Sequence, residues 1–583
     1  MYKTKWDLDE LYKDDKEFLI DYNLTRVRLV NMNKDCFKDG VSLYNFLEEE
    51  DDILMVLEKI YNYASLSYDL DTSNNKALAL KEKAVDLYQE YNKQVSFFTP
   101  KFLSLEKEVV DNFYKECSKL KKYKISLDRI YRYKEHTLNE ENEELLSKIS
   151  SVFDRSGKTY NVLTDCDISF GKITDTNNKR VELTDSNYQL FLQSNNQKVR
   201  KNAFLTLHRG YSKFANTISS LYYSQINELK VVSQLKNYPS ILDMVVFGDE
   251  LDKSVYQNLV KVVNERMDVI YSYFKIKKDY LNLSDFHIYD TYAPLISNSK
   301  FSYTFDEAVK LVLASLKPLG KSYLNTLEKG YKSGWVDVYP KKAKRSGAYS
   351  SGSYLTKPYM LLNFEGTYND VSTLAHESGH SMHSYYTIKN NDYHYASYRI
   401  FVAEVASTVN ELLFANYMLK NTDVKEEKLY ILDKLMNLYK STIYRQTMFA
   451  EFEELSYNLV ENEIPLTNDL LSDKYYELNK KYFGNEVKLD KEIRYEWLRI
   501  PHFYYKFYVY KYATGLSCAT YIVKNLDNLE FRDKYLEMLK VGDTKNPFDT
   551  LMVAGIDITK PEVIESAIDY FKEIQEEFKK LIN

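Results

Sequence analysis

Residues that interrupt regular structure are scarce in this chain: 16 Gly and 10 Pro among 583 residues. That excludes a collagen-like or Pro-rich fibre and argues for long helices with few breaks. Cysteine is rarer still. Cys36, Cys117, Cys166 and Cys518 stand far apart with no C-x-x-C pair, so neither a disulfide framework nor a cysteine zinc knuckle is expected. Four isolated cysteines in so long a chain read as reduced thiols of a cytosolic protein. No apolar run approaches the ~18 residues of a membrane helix. The start, Met1-Tyr2-Lys3-Thr4-Lys5-Trp6-Asp7, has no apolar core of a secretory signal. The net charge of −6 gives no reason to expect nucleic acid. The basic run Lys341-Lys342-Ala343-Lys344-Arg345 is short and reads as a solvated loop.

What the chain has in abundance is amphipathic helix. Apolar residues recur at i, i+3, i+4 and i+7 over 43–65, 75–98, 101–122, 140–155, 197–235, 252–281 and 305–328. The pattern continues over 397–419, 424–461, 468–482, 499–526, 528–540 and 560–581. The expected fold is mainly α, with length enough for two or more lobes. Strand signals are few. Residues 167–184 read as a hairpin, with Thr174-Asp175-Thr176-Asn177-Asn178 as its turn. A second β-like region runs from Gly334 to Phe364 around the loop Ser346–Tyr354, whose glycines match no phosphate-binding motif. With no low-complexity linker in the chain, the coarse division is a helical part over 1–185 and a catalytic part over 186–583. The 55 Tyr are read as compositional bias on half-buried faces.

Only 8 His are present, yet His376-Glu377-Ser378-Gly379-His380 spells H-E-x-x-H. Four residues make about 400° of helix rotation, so both imidazoles leave one face a single turn apart. Two nitrogens so placed can reach one Zn²⁺ at ~2.0–2.1 Å. Glu377 follows the first ligand and can act as general base. The segment opens with Asp370, a good N-cap residue, after the strand-like Tyr359–Phe364.

A catalytic zinc keeps three protein ligands and one open position. His383 lies one turn past His380, but three ligands from one short helix close badly around a metal, so it reads better as a neighbour of the site. The chain lacks the extended H-E-x-x-H-x-x-G-x-x-H pattern. Downstream, Ile400–Leu413 reads as a buried helix carrying Glu404 and Glu411 two turns apart on one face. Both carboxylates either face solvent or are paired. Beside a His pair, Glu404 is the third-ligand candidate and Glu411 the residue that orients an imidazole. Near the C-terminus, Pro501 marks a helix start. His502, Tyr505, Val509 and Tyr512 would then share one stripe. They form either an aromatic core face or a set of donors for a developing oxyanion.

Several segments together resemble the oligoendopeptidase F branch of the M3 zinc oligopeptidases: Pro358–Asn363, Asn369–Val371, Leu374–His383, Ala403–Ser407, Ile500–Tyr505 and, near the start, Lys5–Tyr12. The resemblance spans essentially the whole chain. It implies two helical lobes around a deep substrate channel, with a small β-sheet beside the zinc-binding helix, and an oligopeptidase F-type N-terminal domain at about 115–185. It implies one Zn²⁺ held by His376, His380 and Glu404, with Glu377 as base. His502, Tyr505 and Tyr512 look like the group that stabilises the transition state, although Val509 stands where distant relatives carry a further Tyr. The strand at 359–364 resembles the edge that pairs with an extended substrate. The expected activity is a cytoplasmic zinc metalloendopeptidase acting on short oligopeptides, with no nucleic acid, membrane or obligate protein partner. The competing readings are an end-trimming carboxy- or aminopeptidase and a catalytically silent peptide-binding protein.

Overall fold

The computed structural model describes residues 2–153, 155–296 and 301–583. Helices dominate it, as the periodicity predicts, and many begin on a side-chain cap. Asp39 Oδ1 accepts from the Ser42 N–H at 2.7 Å to start Gly40–Leu70. Thr304 with Glu307, and Thr367 with Asp370, form complete capping boxes. The expected helix over 305–328 ends instead at Ser315 and resumes at Lys321. Pro318 lacks an N–H and Gly320 turns to φ +88°, so the chain cannot continue through them. The expected helix over 197–235 is likewise two, Gln197–Ser212 and Ala215–Leu235.

Five short strands complete the inventory of the described residues. β1 (Lys172–Thr174) and β2 (Arg180–Glu182) form the expected antiparallel hairpin, in register Ile173↔Val181. Its turn contains Asn178 at φ +61°, a conformation Asn tolerates better than most residues. β3 (Val336–Asp337), β4 (Tyr349–Ser351) and β5 (Tyr359–Leu361) form a sheet in the order β3-β5-β4. β5 is therefore the central strand. It pairs parallel with β3 and antiparallel with β4. The expectation that 359–364 is a free edge is corrected: both sides of β5 are occupied, and the terminal strands are β3 and β4.

The chain divides into two compact units, neither contiguous in sequence. The first comprises Met1–Glu140, Phe301–Tyr417 and Ile522–Gly555. Its core joins Trp6, Phe18, Phe46, Ile53, Phe102 and Tyr123 to Tyr359 and Leu361 of β5. Long helices approach closely where side chains are absent. A Cβ on Gly40 would lie 2.2 Å from the Phe113 carbonyl oxygen. The sheet is tied to the helix Tyr368–Asn390 by a hydrogen bond between the Ser350 and Ser381 hydroxyls, 2.7 Å.

The second unit comprises Glu141–Lys300, Met418–Tyr521 and Ile556–Asn583. Its closing helix, Pro561–Ile582, buries Phe571 against Tyr273 and Tyr439. The expected helix over 424–461 is continuous but contains one widened π turn, Lys440–Tyr444. Two arginines here meet buried carboxylates. Arg200 reaches Asp290 at 2.7 and 2.9 Å, and Arg445 reaches Glu496 at 2.8 and 3.2 Å.

Candidate metal centre

His376, Glu377 and His380 lie on the helix Tyr368–Asn390 of the first unit. The two imidazoles emerge a turn apart, rings 4.8 Å between centroids and 75° between planes. Their Nε2 atoms are 3.1 Å apart. Glu404, on the helix Ile400–Asn421, places Oε2 3.5 Å from His376 Nε2 and 3.6 Å from His380 Nε2. Two Zn²⁺ ligands at ~2.0–2.1 Å in tetrahedral geometry lie about 3.3 Å from one another. The spacing of all three donor atoms thus matches one small cation, and a His₂Glu donor set suits zinc. Glu404 is half exposed, leaving an approach from solvent.

A close helix crossing brings Glu404 there. A Cβ on Gly379 would lie 2.5 Å from Ser407 Cα and 2.6 Å from the Ala406 carbonyl oxygen. Only glycine admits this approach of backbone to backbone. Asn410 fastens the same crossing by donating to the Ala375 carbonyl at 3.1 Å. On the other side, Ser378 Oγ meets Tyr331 Oη at 2.5 Å. The sequence reading passed over Gly379 and Asn410. The one signal was a glycine in the middle of a helical motif, where it costs about 1 kcal/mol and so wants a packing reason.

Charge around the pair is strongly acidic. Burial opposes a proton on His376, yet Glu411, Glu377 and Glu404 together override it and raise its pKa to about 8. His376 Nδ1 faces Glu411 Oε1 at 3.5 Å and makes no shorter hydrogen bond. Glu411 therefore sits where the sequence reading puts it, behind the imidazole. Glu377 is buried; that burial, reinforced by Glu404 and Glu411, raises its pKa above the ordinary carboxylate value. Glu404 moves the other way, lowered by hydrogen bonding and charge from His380 and by His376.

His383 is fully buried and stacked on Tyr398, centroids 3.8 Å apart and planes 6° from parallel. Burial and the nearby His380 depress its pKa to about 3, so it stays neutral. It does not join the donor cluster.

His502, Tyr505 and Tyr512 belong to the second unit, and their local geometry corrects the sequence reading. The expected helix over 499–526 is not continuous, and only Tyr510–Asn525 is α-helical. Pro501–Tyr504 is a single 3₁₀ stretch, and the α-helix starts at Tyr510. Between them Lys506 and Phe507 both adopt the left-handed conformation, φ +57° and +56°. The buried Glu453 carboxylate accepts the Phe507 N–H at 3.0 Å and holds that kink. The three residues are gathered by the kink and not by a helical stripe. The His502 ring centre is 5.5 Å from Tyr505 and 6.0 Å from Tyr512. Val509 leaves the group and is fully buried. Tyr505 is 50% exposed, and burial lowers the His502 pKa, favouring the neutral imidazole.

The chain also matches known proteins along its whole length. Residues 190–570 match the family model for peptidase family M3, and residues 101–170 match that for oligopeptidase F. Oligopeptidase PepF of Bacillus subtilis is 38% identical, over 99% of this chain and 87% of that protein. An oligoendopeptidase F homologue of Borreliella burgdorferi is 37% identical over 99% and 98%. Among solved structures, oligoendopeptidase-F from Enterococcus faecium is 31% identical, with a TM-score of 0.74 over 99% of both chains. A solved structure from Chlamydophila abortus reaches a TM-score of 0.94 at 35% identity, over 99% and 98%. A protein so similar along its whole length, with an H-E-x-x-H pair and a carboxylate converging on one point, is a peptide hydrolase of the M3 family, in its oligoendopeptidase F branch.

Proposed function

We propose that this peptidase is a zinc-dependent endopeptidase that cuts internal bonds of short oligopeptides in the cytoplasm. In this reading residues 186–583 form the catalytic domain. Residues 1–185 form a helical N-terminal region with an oligopeptidase F-type domain at about 115–185. The observation that carries it is the convergence of His376, His380 and Glu404 with the buried Glu377 one residue from a ligand. His376, His380 and Glu404 would hold one Zn²⁺, and Glu411 would orient His376. Zinc held there supplies Lewis-acid chemistry, lowering the pKa of water and polarising the scissile carbonyl.

The remaining work falls to the chain's own side chains. Glu377, with its raised pKa, takes the proton of the attacking water and passes it to the leaving amine. Its burial keeps competing water from the carboxylate. By the family resemblance, His502, Tyr505 and Tyr512 would be the donors to the oxyanion. Four free cysteines, three of them buried, suit a reducing compartment. Among the described residues no helix is long and apolar enough to cross a membrane. The partners in this reading are oligopeptide substrates alone.

The test is Glu377→Gln. The variant should bind zinc at one equivalent and lose nearly all turnover; substantial peptidase activity would remove Glu377 from the base role. Peptides blocked at both ends should be cut as readily as free ones. Dependence on a free terminus would favour an end-trimming enzyme instead.

A further inference from the structure

A cleft of about 760 Å³ lies wholly within the second unit, and its wall includes Lys440, Tyr292, Asp433 and Ser441. Lys440 opens the π turn of the helix that runs from Lys425 to Glu461. Such a turn shifts the helical register by one residue. The Lys440 side chain is buried, with 7% of the residue exposed. Its ammonium lies 4.5 Å over the Tyr292 ring, and among the described residues it pairs with no carboxylate. Three other cations of low exposure pair with carboxylates; Lys277, like Lys440, pairs with none among the described residues. Arg200 meets Asp290, Lys344 meets Asp337 and Arg445 meets Glu496.

The surrounding charges do not cancel it. Arg445 and Glu496 neutralise one another. Lys277 is fully buried and donates to Tyr273 Oη at 3.2 Å. The nearby buried carboxylate, Asp433, already accepts from the Leu295 N–H and from Asn437 Nδ2, at 3.1 and 2.9 Å. Two buried lysines thus face one buried aspartate. Asp175 also reaches the cleft, but its Oδ1 is taken by the backbone N–H groups of Asn177 and Lys179. A buried, unpaired cation is costly, and one aspartate shared between two lysines leaves the cleft short of negative charge. Ser441, Thr176 and Gln193 bring hydroxyl and amide donors to the same wall.

We propose that the Lys440 cleft is a binding site for a compact oxyanion, a carboxylate or inorganic phosphate. The anion supplies the missing charge above the Tyr292 ring and takes hydrogen bonds from the hydroxyl and amide side chains. Without it, burial together with Lys277 and Arg445 pushes the Lys440 pKa well below the ordinary lysine value, against Asp433 and Glu496. Binding of an anion therefore draws a proton onto the site.

The experiment is calorimetric titration of the full-length protein with inorganic phosphate and, separately, with N-acetylglycine. The neutral N-acetylglycinamide serves as control. Saturable binding of either anion, with proton uptake in two buffers of different ionisation heat, is expected; which one binds identifies the source. Lys440→Met should weaken it about thirtyfold or more. Lys434→Met, at an exposed lysine of the same cleft, should leave it nearly unchanged. Lys440→Gln replaces the Met variant should that one not fold. The proposal is overturned by absence of saturable binding in the wild type. It is also overturned by equal binding in the Lys440 variants, which would put the anion elsewhere, for instance on the metal.

Discussion

Replacing Gly379 by alanine tests the architecture of the metal centre more sharply than removing a ligand. In an exposed helix the change would stabilise, because alanine is favoured over glycine by about 1 kcal/mol. Here the added methyl would meet Ser407 Cα at 2.5 Å, the Ala406 oxygen at 2.6 Å and Ser407 N at 2.8 Å. All three are backbone atoms, so no side chain can swing aside. Ordinary contact begins at 3.4 Å, so the helix carrying Glu404 must retreat by about 1 Å. Metal sites tolerate about ±0.2 Å in ligand distance. The retreat takes Glu404 away from the two imidazoles while leaving every ligand in the sequence. We expect zinc affinity to fall by about 100-fold, a loss of the size seen when a ligand's support is removed. Overpacking should also destabilise by about 1–3 kcal/mol. Zinc affinity is measured by competition with a chromogenic chelator, and stability by thermal unfolding with and without metal. The melting temperature should fall in both, and the stabilisation by zinc should shrink. A variant that binds zinc like the wild type would refute the claim that this glycine sets the position of Glu404.

Other outcomes follow from the same geometry. In the metal-free protein His376 holds its proton up to about pH 8, above the ordinary 6.5. Its contribution to stability is complete below the unfolded value and disappears as pH rises through about 8. Zinc must displace that proton, so apparent zinc affinity should drop by about tenfold per pH unit below pH 8; a flat profile between pH 6 and 8 would contradict it. Glu411→Ala removes the carboxylate 3.5 Å from His376 Nδ1. It should weaken zinc by about 10–100-fold with the ligands intact, and unchanged affinity would relegate Glu411 to the scaffold. Glu496 is held at a pKa of about 2, because Arg445 outweighs the opposing burial. Glu496→Gln leaves that guanidinium unpaired and should cost about 3–5 kcal/mol; thermal unfolding that matches the wild type would show that the pair contributes little.

Legibility in the sequence followed the range of the interactions. The H-E-x-x-H pair and the Glu404–Glu411 spacing depend on helical geometry alone, and both appear in the structure as read. The hairpin at 172–182 is equally local. The segment around His502 was misread because nothing nearby announces its kink. Lys506 and Phe507 are not turn residues, and they hold left-handed backbone only because Glu453, 54 positions away, accepts the Phe507 N–H. The central place of β5 was hidden for a related reason. Its neighbours are strands of two and three residues, too short to leave a period of their own.

By itself the sequence determined the helical character of the chain and the placing of His376 and His380 a turn apart on one helix, because each rests on contacts within a few turns of chain. Tertiary structure alone decided how close two such helices come, which strand has a free side and where His502 meets its tyrosines. Those depend on groups far apart in the chain: a glycine that lets backbones touch, a sheet assembled from three segments, and a buried carboxylate that bends a distant loop. Each unit draws on three separated stretches of chain, so no local pattern could carry that information.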